Sequence, residues 1–541
     1  MTVDVDCSIS RLPTPHDDHH KKCLVRVASL PIPGVFQPSI HYDCAHNQTR
    51  AVVGRVLGVV PKPSKPGIAR LEKVATWVAS RIPFVGEQDI YEMPNKYGGA
   101  KAKRYLAAVE KYLAFGVRPF DAQCTMFVKP DKFDGHVKTN PDPRAIQFRG
   151  SVYCVALAQF LQPIEHHIYT MDGFSAGVPP SRNIAKGLNQ SQRAELLRYK
   201  LSHFKAPVVL SLDGSRFDKH VSIPLLKIEH SVYTYVQRNP LFRALLSMQL
   251  INVVTSKHGI KYVAAGRRMS GDMNTALGNC LLMLIMVTAY LTFLSIPIWD
   301  CLDDGDDCLL IVEEQALVLI LETVHEHFLE YGMQMKVESV AYSLFDVKFC
   351  QSSVVEFSDA RFKFVRDYKA VISKALTGIR HWQDPNYRIK VLSAIGFCEL
   401  VLNLGVPVLQ SFACSILRNV GRPKDLDLAS DGLKARAQRE LRALGLRAID
   451  VRARPINECA RVSFALAFDC PVEEQLLYEA FFSGWTFDVS SLTYWGDEWD
   501  VASWLAYQST HEVYSLRQNA EACTKQAQSE ACQSSLSPWG L

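Results

Sequence analysis

The stretch "CLDDGDDCLLI", residues 301–311, sets four carboxylates, Asp303, Asp304, Asp306 and Asp307, around Gly305. Apolar runs stand on both sides, "FLSIPIW" (293–299) before it and "LLIV" (309–312) after it. Like charges this close repel, and burying them is costly unless a cation or hydrogen bonds compensate. The pattern reads as strand, tight turn, strand, with Gly305 supplying the positive φ that a hairpin turn needs. Apolar flanks argue against a merely exposed acidic turn. A calcium-binding loop opening at Asp300 needs oxygen ligands at its third and twelfth positions and finds Leu302 and Ile311 there.

A second acidic pair complements the first. "PVVLSLD" (207–213) is β-branched and apolar, which predicts a strand, and the run continues "GSRFD", so Asp213 ends the strand and Asp218 follows in the turn. A carboxylate at a strand tip can be brought beside the tip of a hairpin in the same sheet. Asp213, Asp306 and Asp307 would then face one cavity. Hard oxygen ligands of this kind, with positions left open for phosphate and water, suit Mg²⁺, and two such ions can clamp the attacking and leaving oxygens of a phosphoryl transfer.

The remaining chain bounds this reading. With 541 residues, 48% hydrophobic and 21% charged, it is long enough for several packed units and is not dominated by disorder; a net charge of +5 says little about partners. Fifteen scattered cysteines and a polar, acidic N-terminus predict reduced thiols in a cytosolic setting, without a secretory leader. His16, His19, His20 and Cys23 offer zinc donors, but no second Cys/His cluster frames them at structural-zinc spacing. The uncharged run between Asp272 and Asp300 is long enough to cross a bilayer. Asn274, Thr275 and Asn279 at its start and the acidic cluster at its end favour a buried core helix instead. A helix is expected near Pro224 with Ser222 as its cap. Residues 313–331 read as an amphipathic helix burying Leu317, Ile320, Leu321, Val324, Phe328 and Tyr331, stopped by Gly332. Residues 124–150 read as irregular and basic.

The spaced set "DGSRFD" (213–218), "SGDMNTALGN" (270–279) and "GDD" (305–307) resembles motifs A, B and C of viral RNA-dependent RNA polymerases. "FVKPDK" with "PRAIQFRG" is similar to the basic motif F, "YGMQMKVE" to motif D and "FCQ" to motif E. "SLDGSRFDKHVS", "LKIEHSVY" and "GVPVLQSF" are close to tombusvirus- and carmovirus-type enzymes, and the resemblance spans roughly residues 40–480. It implies an α+β right-hand polymerase fold. The expected division is an N-terminal extension (1–60), fingers (61–206), a palm with a small antiparallel sheet (207–358, with a fingers insert at 236–266), a helical thumb (359–520) and a flexible tail (521–541).

The resemblance also implies roles. Asp213 and Asp306, supported by Asp307, would hold two Mg²⁺ or Mn²⁺ ions. Asp218 and Asn279, helped by Ser270 and Thr275, would read the ribose of the incoming nucleotide, whose 2′-hydroxyl marks RNA. Alone, Asn279 would read instead as a satisfied polar group inside a helix bundle. Arg144, joined by Lys129 and Arg149, would bind the triphosphate. Lys336 would be the general acid for pyrophosphate, against the plainer reading of a strand-edge lysine. Gly271 and Lys132 would meet the RNA, and Phe349 and Cys350 would steady the nascent 3′ end. Basic residues crowding 417–454 would attract phosphate. Asp131 stands where the family usually has Glu. Asp303 and Asp304 depart from the pattern, and either ion pairs with basic residues or a tuning of metal affinity would explain them.

Partners implied are a single-stranded positive-strand viral RNA, NTPs and no DNA, with primer-independent initiation. Family members commonly arise by readthrough or frameshift from an upstream replication protein that carries the membrane anchor. The expected location is therefore a membrane-associated complex in the host cytoplasm, reached through that partner, with no transmembrane segment in this chain. A reverse transcriptase is the nearest alternative, opposed by Asp218 and Asn279; a non-catalytic RNA-binding scaffold is opposed by the intact acidic set.

Overall fold

Residues Pro207–Gly214 form strand β1, in which nearly every side chain is apolar and buried. The alternation of a strand sends Val208, Leu210 and Leu212 into one core and Val209 into another, so both faces of the sheet are covered. In this computed structural model, which describes residues 3–12, 25–28, 30–357, 360–378, 382, 384–490 and 493–494, β1 lies inside a four-stranded antiparallel sheet. Its partners are β2 (Trp299–Asp303), β3 (Asp307–Glu313) and β4 (Met335–Ala341), in the order β2-β3-β1-β4.

Three helices pack on this sheet or beside it. Helix α1 (Ile223–Val236) begins after Ser222, which takes the N-cap position with extended backbone as expected, although its hydroxyl makes no capping bond. Helix α2 (Thr275–Phe293) is the uncharged run; it is long and apolar enough to cross a membrane, yet most of it is buried against surrounding elements. Helix α3 (Leu317–Glu330) follows a short 3₁₀ turn at Glu314–Ala316. Leu317, Ile320, Val324 and Phe328 are buried as expected, whereas Leu321 is 45% exposed.

A second sheet of five strands has the order Cys7–Arg11, Lys261–Ala265, Ile251–Ser256, Cys124–Val128, Ala145–Arg149. Residues 124–150 are thus not irregular throughout. Cys124–Val128 alternates buried and exposed positions as a strand does, and the prolines are confined to the connection. Segment 236–266 sends its two strands back to this sheet, where Ile251–Ser256 pairs parallel with Cys124–Val128.

The described residues among the first 60 pack against later parts of the chain. Cys7–Arg11 edges the five-stranded sheet, while Val27, Leu30, Ile32 and Val35 enter the C-terminal core beside Tyr368 and Ile372. Pro38–Ser39 then pairs with Phe133–Asp134. The C-terminal part is helical, from Pro385–Leu402 to Val472–Gly484, and opens on a hairpin of Ser352–Phe357 with Arg361–Arg366, which straddles the expected boundary at 358/359. The candidate zinc donors His16, His19, His20 and Cys23 and the expected tail at 521–541 lie outside the described residues.

Candidate active site

The register of the central sheet decides which carboxylates meet. Asp307 lies directly opposite Asp213 across β3 and β1, and Lys336 lies opposite Asp213 on the other side, from β4. The β2–β3 hairpin closes with the Asp304 N–H donating to the Asp307 carbonyl at 2.9 Å, and Gly305 takes φ +105. Asp306 projects from this turn and is exposed. The Lys336 ammonium sits 3.3 Å from Asp213 Oδ2 and donates to Glu338 Oε1 at 2.8 Å.

Crowding leaves its mark on protonation. Burial raises the Asp213 carboxyl above its usual value, Glu338 adds to the rise, and Lys336 opposes it. Burial and then the neighbouring Asp306 push Asp307 up to about 6. A cation would relieve both. Among the described residues no three His, Cys, Asp or Glu side chains are gathered closely enough, as they stand, to hold a metal ion; by chemistry, a few hard carboxylates are the donor set expected for an ion that keeps water and phosphate ligands. The residues fit Mg²⁺ or Mn²⁺.

The other two carboxylates of the opening stretch behave differently. Asp304 bonds Lys186 Nζ at 2.7 Å and Arg193 Nη1 at 2.8 Å. Burial works against its charge, but these two cations prevail and hold it below the usual carboxylate range. Asp303 is fully buried, accepts the Gly305 N–H at 3.1 Å, and is driven well above that range by burial. Of the two explanations open from sequence, ion pairing holds for Asp304.

Beside the hairpin, Asn279 Nδ2 on α2 donates to Asp218 Oδ1 at 2.9 Å, and Arg268 Nε donates to Asn279 Oδ1 at 3.0 Å. A β-carbon built on Gly305 would lie 3.7 Å from Asn279 Cβ, so the acidic turn and the Asp218–Asn279 pair are neighbours. Ser270 Oγ donates to the Ala145 carbonyl at 2.8 Å, and Thr275 Oγ1 to the Met269 carbonyl at 3.0 Å.

A model of the viral RNA-dependent RNA polymerase family matches residues 26–490. The chain belongs to that family. It is 32% identical over 451 residues to the RNA-directed RNA polymerase of Oat chlorotic stunt virus, covering 80% of this chain and 58% of that one. To the polymerase of Tobacco necrosis virus (strain A) it is 31% identical over 462 residues, 82% of this chain and 61% of the relative. To that of Tomato bushy stunt virus (strain Cherry) it is 34% identical over 386 residues, 69% and 46%. The chain therefore spans about half the length of the curated relatives it matches.

Other residues expected in this family's site are placed less uniformly. Lys129 and Arg144 remain open to solvent and flank Asp131, at 3.1 and 3.6 Å. Arg149 does not join them. It is 4% exposed, bonds Asp272 at 2.6 Å and Asn252 Oδ1 at 2.5 Å, and braces the start of α2 from inside the fold. Lys132 is likewise turned inward, donating to the carbonyls of Lys374 (2.7 Å) and Thr377 (2.5 Å) in the C-terminal part. Phe349 is buried against Phe364 rather than offered to a nucleic acid, and Cys350 Sγ meets Asp304 at 3.2 Å. The Gly271 N–H bonds the Gln147 carbonyl at 2.7 Å, and a β-carbon there would lie 2.4 Å from that oxygen, so the close approach glycine allows is to the 145–149 strand. Among the arginines of 417–454, Arg418 donates to the carbonyls of Phe482 and Trp485 and Arg422 to those of Ala448 and Val451. Arg268 and its partner Glu229 carried no signal in local sequence, since their pairing spans 39 residues.

Proposed function

We propose that the chain carries out template-directed RNA synthesis in the replication of a positive-strand viral RNA genome. A 3′-hydroxyl attacks the α-phosphate of an NTP and pyrophosphate leaves. The observation that carries this is the sheet register, which sets Asp213 opposite Asp307 and beside the turn bearing Asp306, with the Asp218–Asn279 pair against the same turn. In right-hand terms the four-stranded sheet is the palm, the five-stranded sheet belongs to the fingers and the C-terminal helices form the thumb.

Asp213, Asp306 and Asp307 would hold two Mg²⁺ or Mn²⁺ ions, which when bound supply charge stabilisation to the attacking and leaving oxygens. Asp218 and Asn279 offer an acceptor and a donor to the 2′-hydroxyl. Arg144 and Lys129, exposed at the edge of the site, bind the triphosphate as counter-charges. Lys336 is within reach of Asp213 and, like any lysine of ordinary basicity, is protonated at neutral pH; its bond to Glu338 raises its pKa further, and it is the donor for the departing pyrophosphate. Initiation without a primer, an upstream viral replication protein and a membrane-associated site in the host cytoplasm follow from the resemblance.

Labelled NTP incorporation on a short single-stranded RNA, with Mg²⁺ or Mn²⁺, tests this reading. Incorporation of NTPs and not dNTPs, lost in Asp306→Ala, supports it; equal incorporation by Asp306→Ala refutes the site. Equal use of dNTPs would favour a reverse transcriptase.

A further inference from the structure

Between the Asp218–Asn279 pair and the hydrophobic core lies a buried ion pair that the reaction as proposed does not use. Arg268 and Glu229 are 3% and 0% exposed. The guanidinium grips the carboxylate with both terminal nitrogens, Nη1 reaching Oε1 at 3.2 Å and Nη2 reaching Oε2. Asn274 Nδ2 donates to Glu229 Oε1 at 2.7 Å and Gln249 Nε2 donates to Asn274 Oδ1 at 2.9 Å, so the carboxylate is itself tethered. The remaining guanidinium nitrogen, Nε, donates to Asn279 Oδ1.

Gly278 supplies an independent observation. A β-carbon at this position would lie 2.4 Å from Glu229 Oε1 and 2.5 Å from Arg268 Nη2. Glycine inside a helix costs about 1 kcal/mol relative to alanine, and here it lets the ion pair cross beneath α2 at the residue before Asn279.

We infer that Arg268, anchored by Glu229 over Gly278, is a positioning residue that fixes the Asn279 carboxamide for sugar selection; the inference rests on reading Asp218 and Asn279 as ribose ligands. A carboxamide presents oxygen or N–H depending on a rotation of half a turn. Holding Oδ1 against the guanidinium points Nδ2 at Asp218 and leaves its second N–H for a 2′-hydroxyl. That hydroxyl accepts from Asn279 while donating to an Asp218 oxygen, and a 2′-deoxy sugar makes neither bond. Arg268 does not touch the nucleotide. It acts through the orientation of Asn279, and its positive charge favours the ionised form of Asp218 against burial.

The test is the ratio of kcat/KM for an NTP to that for the matching dNTP, measured in wild type, Arg268→Lys, Gly278→Ala and Asn279→Ala. Lysine keeps a charge for Glu229, but one nitrogen cannot also serve Asn279 in the same geometry; alanine at 278 keeps both charges and displaces them. The ratio is taken within one preparation, so the folded fraction cancels. The expected result is a fall of about tenfold or more in the ratio for Arg268→Lys and Gly278→Ala, the order expected from losing one charge-assisted hydrogen bond, approaching that of Asn279→Ala. If Asn279→Ala loses the preference while the other two keep it, or lose both activities in parallel, the inference is overturned and the ribose reading stands. If Asn279→Ala keeps the preference, the ribose reading itself fails.

Discussion

Asp304 is the residue whose replacement separates the two jobs of the acidic turn. Its side chain is 9% exposed and bonds two cations, Arg193 at 12% exposure and Lys186 at 30%. Removing one partner of a buried ion pair costs about 3–5 kcal/mol, because the other charge is left uncompensated. Lys186 can turn to water, which lowers the figure, so Asp304→Asn is expected to destabilise by about 2–4 kcal/mol. At roughly 1 °C per kcal/mol for a chain of 541 residues unfolding as one unit, and more for a smaller unit, thermal unfolding should fall by at least about 2 °C. Asp303→Asn is the control. Burial drives the Asp303 carboxyl well above the usual carboxylate range and it makes no ion pair among the described residues, so an amide of nearly equal shape leaves no cation uncompensated and the expected change is within about 1 kcal/mol. The pH dependence follows from the same contacts. Asp304 has a folded-state pKa below the ordinary 3.8, so its clamp stabilises fully above that value and is lost as pH falls through the lower one. Midpoints for wild type and both variants, at neutral pH and near pH 3, decide the matter. Asp303→Asn falling further than Asp304→Asn at neutral pH would refute the assignment of the ion pairs.

Two further predictions concern basic residues that sequence alone could not sort. Arg144→Ala is expected to raise the KM for NTP several-fold with little change in melting temperature, whereas Arg149→Met should lower the melting temperature by removing the partner of buried Asp272; paired kinetics and melting curves check both. Lys132 has its pKa lowered to about 8 by burial. Between pH 8 and 10.5 the folded chain therefore binds fewer protons than the unfolded one, and stability from this group rises with pH. Lys132→Met should lack that rise in denaturation midpoints taken across the window.

Most of what was legible in sequence is local. The hairpin at Gly305, the strand ending in Asp213 and the buried α2 follow from short runs of apolar, acidic and glycine residues, and strand alternation then brings Asp213 to Asp307. Partnerships across long separations left no such trace. Arg149 looks like any basic loop residue until Asp272, 123 positions away, is seen beside it. Lys132 meets carbonyls 242 and 245 positions on, and the segment carrying Val27 and Ile32 packs into a core made largely of residues beyond 355. Leu321 shows a finer limit: it belongs to the apolar pattern of 317–331, yet it faces solvent while the other five positions of that pattern are buried.

The central claim is that Asp213, brought against the acidic turn by the sheet register, belongs to an RNA-synthesising site. The direct measurement is run-off synthesis on a single-stranded RNA of defined sequence with NTPs and Mg²⁺ or Mn²⁺, comparing wild type with Asp213→Asn. The account predicts a full-length product complementary to the template from wild type, and at least about a hundredfold less from a variant that loses one charged group at the reacting centre. A product of equal yield from Asp213→Asn would contradict it.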